Sequence, residues 1–217
     1  MYKLSKSSIG LIKECPRCFW LTNHKIWKRP QGITMSLPSG MDRIIKVHFD
    51  KFRNKGELPP EICKNSHCNG MKLFDDIAKL NEWRNNFKGI RFSDKDGNVL
   101  FGAVDDILVN KDKMIVLDYK TRGFPLKEDT SGYYQDQLDI YNFLLRKNNY
   151  KTEDYGFLLF YHPNKVLENG EVLFNAELVK MKVNVDNAEK LWKEALKCLD
   201  SKCSEEKCEW CEGVENI

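Results

Sequence analysis

The sequence lacks several features that would assign the protein to a membrane, secreted or strongly basic class. No stretch approaches the roughly eighteen consecutive apolar residues of a membrane-spanning helix. The N-terminal stretch MYKLSKSSIGLIKEC has no continuous apolar core of the kind that a signal peptide carries. Neither charge sign dominates, because 35 basic and 32 acidic side chains leave a formal net charge of +3. We therefore expect a cytoplasmic protein with no membrane partner and no overall basic field, which leaves room for a local basic groove.

Clustered helix breakers and low-complexity tracts are also missing. The seven prolines and thirteen glycines are scattered along the 217 residues, so nothing predicts a long disordered segment. With 41% hydrophobic residues, the chain has enough apolar side chains for a substantial core. We expect a single globular domain over residues 1–217.

Eight cysteines stand out against this background. A chain without an export signal keeps its thiols reduced, so metal binding is favoured over a disulfide framework. Two C-x-x-C pairs lie near opposite ends of the chain, and tetrathiolate sites are commonly built from two such pairs. The candidate ligands are Cys15, Cys18, Cys208 and Cys211. Such a site would join residues 1–30 to residues 198–217, and its spacing fits zinc or an iron–sulfur cluster equally well.

Hydrophobic periodicity indicates both helices and strands. Apolar residues spaced by three and four predict helices over residues 5–14, 39–56, 72–87, 132–147 and 186–199. Runs rich in Val, Ile, Leu and Phe predict strands over residues 89–94, 99–110, 114–120, 155–162 and 172–183. We expect the first three strands to form an antiparallel meander and residues 57–73 to be irregular. This order predicts an α/β or α+β fold with a central mixed sheet flanked by helices.

Charged side chains end the most apolar of these strands. Asp118 and Lys120 close the run MIVLDYK, two positions apart and therefore on one face of the strand. Asp105 and Asp106 follow the run VLFGAV, and a hairpin through residues 110–113 would bring them beside Asp118. Two carboxylates suit a hard cation such as Mg²⁺, and a nearby lysine could orient a water or stabilise a charged phosphate. Alternatively, these residues form a solvated strand end, as charged side chains often do.

The motifs around these residues resemble those of the PD-(D/E)XK nucleases, in particular of their RecB-like branch. GAVDD and IVLDYKT look like the G-x-x-D and (D/E)-x-K motifs of this family. The resemblance implies a restriction-endonuclease-like core in which Asp105 and Asp118 bind Mg²⁺ or Mn²⁺. It also implies that Lys120 is catalytic.

Two further motifs occur in the family's order. SGMDRIIKVH resembles the first-helix motif of the branch and implies that His48 is a further metal ligand. On its own, this histidine would more often be a core or interface residue. QLDIY resembles the Q-x-x-x-Y motif and implies catalytic roles for Gln137 and Tyr141, which lie one helical turn apart.

The resemblance also bears on the cysteines. CRISPR-associated exonucleases and helicase–nuclease subunits of this branch tie an N-terminal cysteine to a C-terminal group through a 4Fe–4S cluster, usually with three cysteines in that group. An alternative ligand set is therefore Cys15, Cys203, Cys208 and Cys211. Where the sequence departs from the family, at Asp106 and Asp139, we expect extra negative charge near the metal.

These features predict a metal-dependent deoxyribonuclease that hydrolyses phosphodiester bonds, as an exonuclease or on single strands and ends. DNA is the expected partner, and the resemblance also implies a helicase or a CRISPR or repair complex. Residues that could stack against and steer a strand, or equally be core, are Arg17, Trp20, Lys25, Trp27, Lys28 and Arg29. A competing hypothesis is a non-catalytic or complex-dependent nucleic-acid-binding module with a purely structural cysteine site.

Overall fold

The computed structural model describes residues 1–30, 32, 36–127 and 129–214. Its α-helices are α1 (Lys6–Glu14), α2 (Pro16–Asn23), α3 (Ser36–Lys55), α4 (Pro60–Cys63), α5 (Ile77–Arg84), α6 (Gln135–Lys147) and α7 (Val185–Asp200). Its strands are β1 (Lys3–Ser5), β2 (Lys72–Leu73), β3 (Ile90–Ser93), β4 (Val99–Gly102), β5 (Asp106–Asn110), β6 (Lys113–Thr121), β7 (Tyr155–Val166) and β8 (Val172–Lys182). Short 3₁₀ helices cover Ser66–Cys68 and Thr130–Tyr134.

The strands form two sheets flanked by helices, which confirms the predicted mixed α+β architecture. Five strands pair in the order β2-β5-β6-β7-β8, and only β6 and β7 run parallel to each other within that sheet. The smaller sheet has the order β1-β4-β3, with β1 parallel to β4. None of the described helices is long and apolar enough to cross a membrane.

The predicted three-stranded meander is wrong, because the run 99–110 is divided between the two sheets. β4 ends at Gly102 and β5 begins at Asp106, so a three-residue link carries the chain from the smaller sheet to the larger one. Val104 in this link is fully buried, and its amide donates to the Trp83 carbonyl instead of to a neighbouring strand. The hairpin between β5 and β6 is confirmed, with Asp106 opposite Leu117.

Several predicted helices are divided or shortened. Cys15 is at once the C-cap of α1 and the N-cap of α2, because its backbone is extended and Pro16 restarts the helix. The predicted helix 72–87 is a strand followed by the shorter α5, whose N-cap Asp76 accepts from the Lys79 amide. The segment 57–73, which we expected to be irregular, contains α4 and a 3₁₀ turn.

Alternation along β6 assigns its side chains to two separate cores. Val116 packs in one cluster with Leu138 of α6, whereas Leu117 packs in the other with Phe49 of α3. The larger sheet is therefore covered by α6 on one face and α3 on the other. Since Asp118 has the same parity as Val116, it faces α6, and that placement forms the centre of the candidate site.

Candidate active site

Asp118 and Lys120 extend from β6 toward α6. The Asp118 side chain is almost completely buried, with 1% residual exposure, and its Oδ2 atom is in ion-pair contact with the Lys120 ammonium. Burial inside a sheet covered by helices is an unfavourable place for a carboxylate. The structure therefore does not support the alternative of a solvated strand end for this pair.

Asp105 joins them from the link between the two sheets. Its Oδ2 accepts a hydrogen bond from the Tyr119 amide at 2.9 Å, which holds the carboxylate against β6. The Asp105 carboxylate is near enough to Asp118 that its charge raises the pKa of Asp118. The structure thus brings together the two acids and the lysine that the motifs singled out. The hairpin between β5 and β6 accounts for this convergence, since it places the end of one strand beside the other.

Gln137 and Tyr141 lie on the face of α6 that covers Asp118. The Gln137 side-chain amide donates to Asp118 Oδ1 at 2.8 Å and to the Tyr141 hydroxyl at 3.0 Å. Gly102 permits this arrangement, because a Cβ atom at this position would lie 2.6 Å from the Tyr141 ring. The glycine of the G-x-x-D motif therefore makes room for the tyrosine of the Q-x-x-x-Y motif.

The electrostatics of Asp118 fit a cation site. Burial, together with the Asp105 charge, raises the pKa of Asp118 to about 7, although Lys120 opposes the shift. Its Oδ2 faces the Lys120 ammonium but has no well-aligned hydrogen-bond donor among the described residues. A buried acceptor with a free lone pair, beside a second carboxylate, is suited to a divalent cation with oxygen ligands. Asp105 and Asp118 are therefore the side chains that could hold a divalent cation.

A second lysine completes the site and was missed in the sequence. Lys46 on α3 lies 3.0 Å from Asp105 and 2.8 Å from Asp42. The Asp105 charge raises the pKa of Lys46 although burial acts in the opposite direction. The i, i+4 spacing of Asp42 and Lys46 was visible in SGMDRIIKVH, but it is also common on solvated helix faces. Only the packing of α3 on the sheet shows that the pair reaches Asp105.

His48 is not brought to the carboxylates. Two residues after Lys46, it lies about 200° further around the helix. Its Nε2 lies 3.0 Å from Glu61 of α4, and its ring packs edge-on against Phe49 and Phe52. The geometry therefore gives no support to a metal-ligand role for His48, and Lys46 is the residue of α3 that meets Asp105.

A family model with the description PD-(D/E)XK nuclease superfamily matches residues 71–214, which is more than half of the chain. This chain belongs to the PD-(D/E)XK nuclease superfamily. The matched range contains Asp105, Asp118, Lys120 and the Gln137–Tyr141 pair, so the residues that converge in the structure lie within the superfamily's own domain. Residues before 71, which include α1 to α3, lie outside the match.

Comparisons with curated proteins and with solved structures give no further assignment. No curated protein matches the chain with significant sequence similarity. The solved crystal structure of SSO0001 is similar over 92% of this chain and 78% of its own, with 14% sequence identity and a TM-score of 0.43. At that level of similarity, no feature is carried over from it to this chain.

Asp106 does not add free negative charge to the site, and that expectation was wrong. Asp106 is fully buried and accepts from Arg53 at 2.6 Å, from Arg84 at 2.9 Å and from the Tyr119 hydroxyl at 2.8 Å. Two guanidinium groups therefore neutralise it within the fold.

Asp139 is likewise fully buried but has uncharged partners. It accepts from the Gln135 side chain at 2.7 Å, from the Asn184 amide at 2.8 Å and from the Asn187 side chain at 2.8 Å. These bonds join α6 to the start of α7. Its role in the structure is to satisfy the donors of two helices rather than to bind metal.

Four cysteine sulfurs from the two ends of the chain form one cluster. The Sγ atoms of Cys15 and Cys211 are 3.9 Å apart, those of Cys18 and Cys208 are 3.4 Å apart, and all four lie within 4.8 Å of one another. Although burial opposes the shift, the Trp210 amide and the Cys18 thiol lower the pKa of Cys208 to about 6. Thiols held this closely, one of them readily ionised, fit a thiolate metal site.

The other cysteines stay outside this cluster. Cys203 packs beside it, and its sulfur accepts from Arg17 at 3.6 Å, but it is not among the four grouped sulfurs. Cys63 is exposed and Cys68 lies in the core beside α3, where burial raises the pKa of Cys68 to about 11. The alternative set with Cys203 therefore receives no support.

Two of the six residues expected to steer a strand instead join the two ends of the chain. Arg17 is buried and donates to the carbonyls of Ser204 and Val214, and Trp20 donates to the Ser201 carbonyl at 2.9 Å. These bonds hold α2 against the C-terminal segment. Lys25 and Lys28 remain exposed.

Proposed function

We propose that this protein is a metal-dependent nuclease that hydrolyses phosphodiester bonds in DNA. The observation that carries the proposal is the convergence of Asp105, Asp118 and Lys120 beside a buried acceptor with no aligned donor, in a chain of the PD-(D/E)XK superfamily. Mg²⁺ or Mn²⁺ bound there would supply an activated water and neutralise charge on the phosphate.

The chain's own residues have separate tasks in this proposal. Lys120 neutralises Asp118 and presents its ammonium where negative charge develops on the scissile phosphate. Gln137 orients the Asp118 carboxylate through Oδ1, while Oδ2 stays in contact with the Lys120 ammonium. Lys46 offsets the charge of Asp105 from the opposite helix. Tyr141 supports Gln137.

The preference for single strands or ends, and for exonucleolytic cutting, follows from the resemblance of the motifs to the RecB-like branch. A helicase or a CRISPR or repair complex is the type of partner that this branch implies. We place the reaction in the cytoplasm.

A second candidate function is a nucleic-acid-binding module without activity of its own, or one that is active only in a complex. One observation favours it: each acid of the site already has a lysine neighbour, Asp105 beside Lys46 and Asp118 beside Lys120. A site neutralised in this way could bind phosphate without a metal.

We further propose that the cysteine cluster holds a single tetrahedral Zn²⁺. Zinc–sulfur bonds of about 2.3 Å place tetrahedral thiolates about 3.8 Å apart. The separations of 3.9, 3.4 and 3.7 Å for the pairs Cys15–Cys211, Cys18–Cys208 and Cys208–Cys211 are close to that value. In a 4Fe–4S cluster each thiolate binds a different iron, which requires wider spacing. The sulfur geometry therefore supports zinc over the cluster.

The function is tested with end-labelled single- and double-stranded DNA in the presence of Mg²⁺, Mn²⁺ or EDTA. We expect wild-type protein to cut DNA only with metal and Asp118→Asn to lose at least about 10³-fold in rate, since metal-assisted electrostatic stabilisation disappears. Asp112→Asn, an exposed aspartate on the β5–β6 hairpin, is the matched control and keeps its activity. Equal cutting by Asp118→Asn would mean that the site is wrong. Absence of cutting by wild type, with DNA binding retained, would favour the binding module.

A further inference from the structure

A polar cavity of about 450 Å³ opens beside Gln137 and Tyr141. The rest of its lining comes from the junction of β1 and α1, from the end of β4 with the residue after it, and from the segment after α5: Ser5, Lys6, Ser7, Phe101, Gly102, Ala103 and Asn86. None of the lining residues is acidic. The cavity adjoins the proposed active site at Gln137, whose side-chain amide donates to Asp118.

Lys6 is the only charged side chain in this lining, and it has no partner in the described parts of the chain. No ion pair or hydrogen bond is formed by its ammonium among those residues, and the charges of Lys120, Asp118 and Asp136 act on it. The side chain is half-buried, and burial together with the Lys120 ammonium lowers the pKa of Lys6. Asp118 and Asp136 oppose this shift, but neither forms an ion pair with Lys6 among the described residues. A partly desolvated ammonium without a directly bound partner is suited to bind an anion.

The segment that carries Lys6 is fixed at both ends. Immediately before it, Ser5 pairs with Phe101 of β4 in the parallel β1–β4 ladder. As the N-cap of α1, the Ser5 hydroxyl also accepts a hydrogen bond from the Ser8 amide. After α1, Cys15 belongs to the cysteine cluster. Lys6 is therefore held in place before any ligand arrives, which lowers the entropic cost of binding.

We propose that Lys6 binds a backbone phosphate of the substrate strand next to the phosphate that is cut, with the adjoining nucleotide in this cavity. The inference rests on the proposed nuclease function and names a strand-binding subsite for it. The cavity volume suits one nucleotide, and its walls offer the Phe101 ring beside polar groups. The strand would then run from the carboxylates across the start of α1.

The test compares Lys6→Met, Lys6→Arg and Lys190→Met. Lys190 is an exposed lysine of α7 that pairs with Glu194 and does not line the cavity, so its replacement makes the same change in net charge outside it. Thermal melting first establishes that all three variants are folded. Binding of a fluorescein-labelled single-stranded oligonucleotide in EDTA is then measured over a range of salt concentrations, and cleavage is measured with Mg²⁺.

For Lys6→Met we expect binding weakened about tenfold. We also expect the slope of log K against log salt to fall by about 0.7, because one phosphate contact on a single strand is lost. Lys6→Arg should retain the slope, and Lys190→Met should match wild type. In cleavage, Lys6→Met should raise KM more than it lowers kcat, since Lys6 binds the strand and not the reacting atoms.

A scan of single neutral methylphosphonates along the oligonucleotide locates the contact. One position should weaken wild-type binding but have no further effect on Lys6→Met. If wild type binds and cuts DNA while Lys6→Met keeps the same affinity and salt slope, the subsite is wrong and the nuclease function stands. If wild type neither binds nor cuts DNA, both the subsite and the proposed function are wrong. Competition by inorganic phosphate alone, with no position-specific methylphosphonate effect, would also overturn the strand subsite.

Discussion

At the scale of single residues, the buried carboxylates fall into two groups: those that stabilise the fold and those of the candidate active site. Asp106 is neutralised by two arginines, and Asp139 is surrounded by amide donors. Asp118 is different, because among the described residues its Oδ2 has the Lys120 ammonium beside it but no well-aligned hydrogen-bond donor, and its pKa is raised to about 7. A buried acid with a strongly raised pKa is a typical feature of a functional site.

The raised pKa predicts how stability depends on pH in metal-free protein. In the unfolded chain an aspartate ionises at about pH 3.9, whereas Asp118 in the folded chain does so at about 7. Its contribution to stability is therefore fully present below pH 4 and is lost as pH rises to 7 and above. Asp118→Asn has no carboxyl group to ionise, so it does not lose this stability as pH rises. Its melting temperature should exceed that of wild type by a difference that grows from pH 5 to pH 8 and reaches about a few degrees.

Added Mg²⁺ should cancel that difference in wild type, since the cation favours the ionised carboxylate. Asp112→Asn is the control, because Lys151 lowers the pKa of this exposed aspartate instead of raising it. Parallel melting curves for wild type and Asp118→Asn at every pH would contradict the burial argument.

A second prediction concerns His48. Because its ring faces Glu61, His48→Ala should leave divalent-metal affinity and cleavage within about twofold of wild type and cost less than about 1 kcal/mol of stability. Asp105→Asn should weaken metal binding at least about tenfold. Isothermal titration with Mn²⁺ measures both. A loss of affinity in His48→Ala as large as in Asp105→Asn would show that the histidine does reach the metal.

At the scale of elements, α6 and the link after β4 determine the shape of the site. Gln137 and Tyr141 can reach Asp118 only because α6 packs directly on Gly102. The link then leaves the strand ladder, which frees the Asp105 side chain to turn toward β6. Packing density leaves little room for adjustment where a ring meets backbone.

Gly102→Ala should therefore destabilise the protein by about 1–3 kcal/mol, because the added Cβ would lie 2.6 Å from the Tyr141 ring. Cleavage should fall as well, since Gln137 moves with α6. Gly10→Ala on α1 is a matched control: its Cβ meets nothing within 4 Å, and it should stabilise the helix by about 0.5–1 kcal/mol. Denaturant unfolding measures both changes, and equal stability of the two variants would refute the close-packing argument.

At the scale of the whole molecule, the two ends of the chain are held together around the cysteine cluster. α1 and α2 come from the segment before residue 71, outside the superfamily match, whereas Cys208 and Cys211 lie inside it. The N-terminal segment contributes half of the thiols as well as Lys6, and α3 contributes Lys46. Loss of the cluster should therefore affect both stability and the placement of Lys6.

Cysteine variants test this arrangement. We expect one zinc per chain in wild type and in Cys63→Ser, whose sulfur is exposed, and almost none in Cys208→Ser. Cys208→Ser should also melt at a clearly lower temperature. Elemental analysis and thermal denaturation provide the measurements. We also expect Cys203→Ser to retain the metal. Loss of metal in Cys203→Ser would instead favour the alternative ligand set that includes Cys203.

Local features of the site and fold were predictable from sequence because short-range geometry determines them. The two-residue period of a strand places Asp118 and Lys120 on one face, and a tight hairpin aligns β5 with β6. Two C-x-x-C pairs indicate a shared site, since each pair already has the spacing of a metal knuckle. The periodicity of residues 132–147 and 186–199 likewise predicted α6 and α7 closely.

What only the tertiary structure decided depends on long-range packing. The rotation of α3 against the sheet turns Lys46, and not His48, toward Asp105. The change of sheet after Gly102 is invisible in an unbroken apolar run, because periodicity does not show which strands pair. Lys6 lies far from Gln137 in the chain, and the β1–β4 pairing brings it to the same cavity. The sequence alone therefore determined which functional side chains the protein contains and their local spacing. The packing of distant segments decided which of them come into contact.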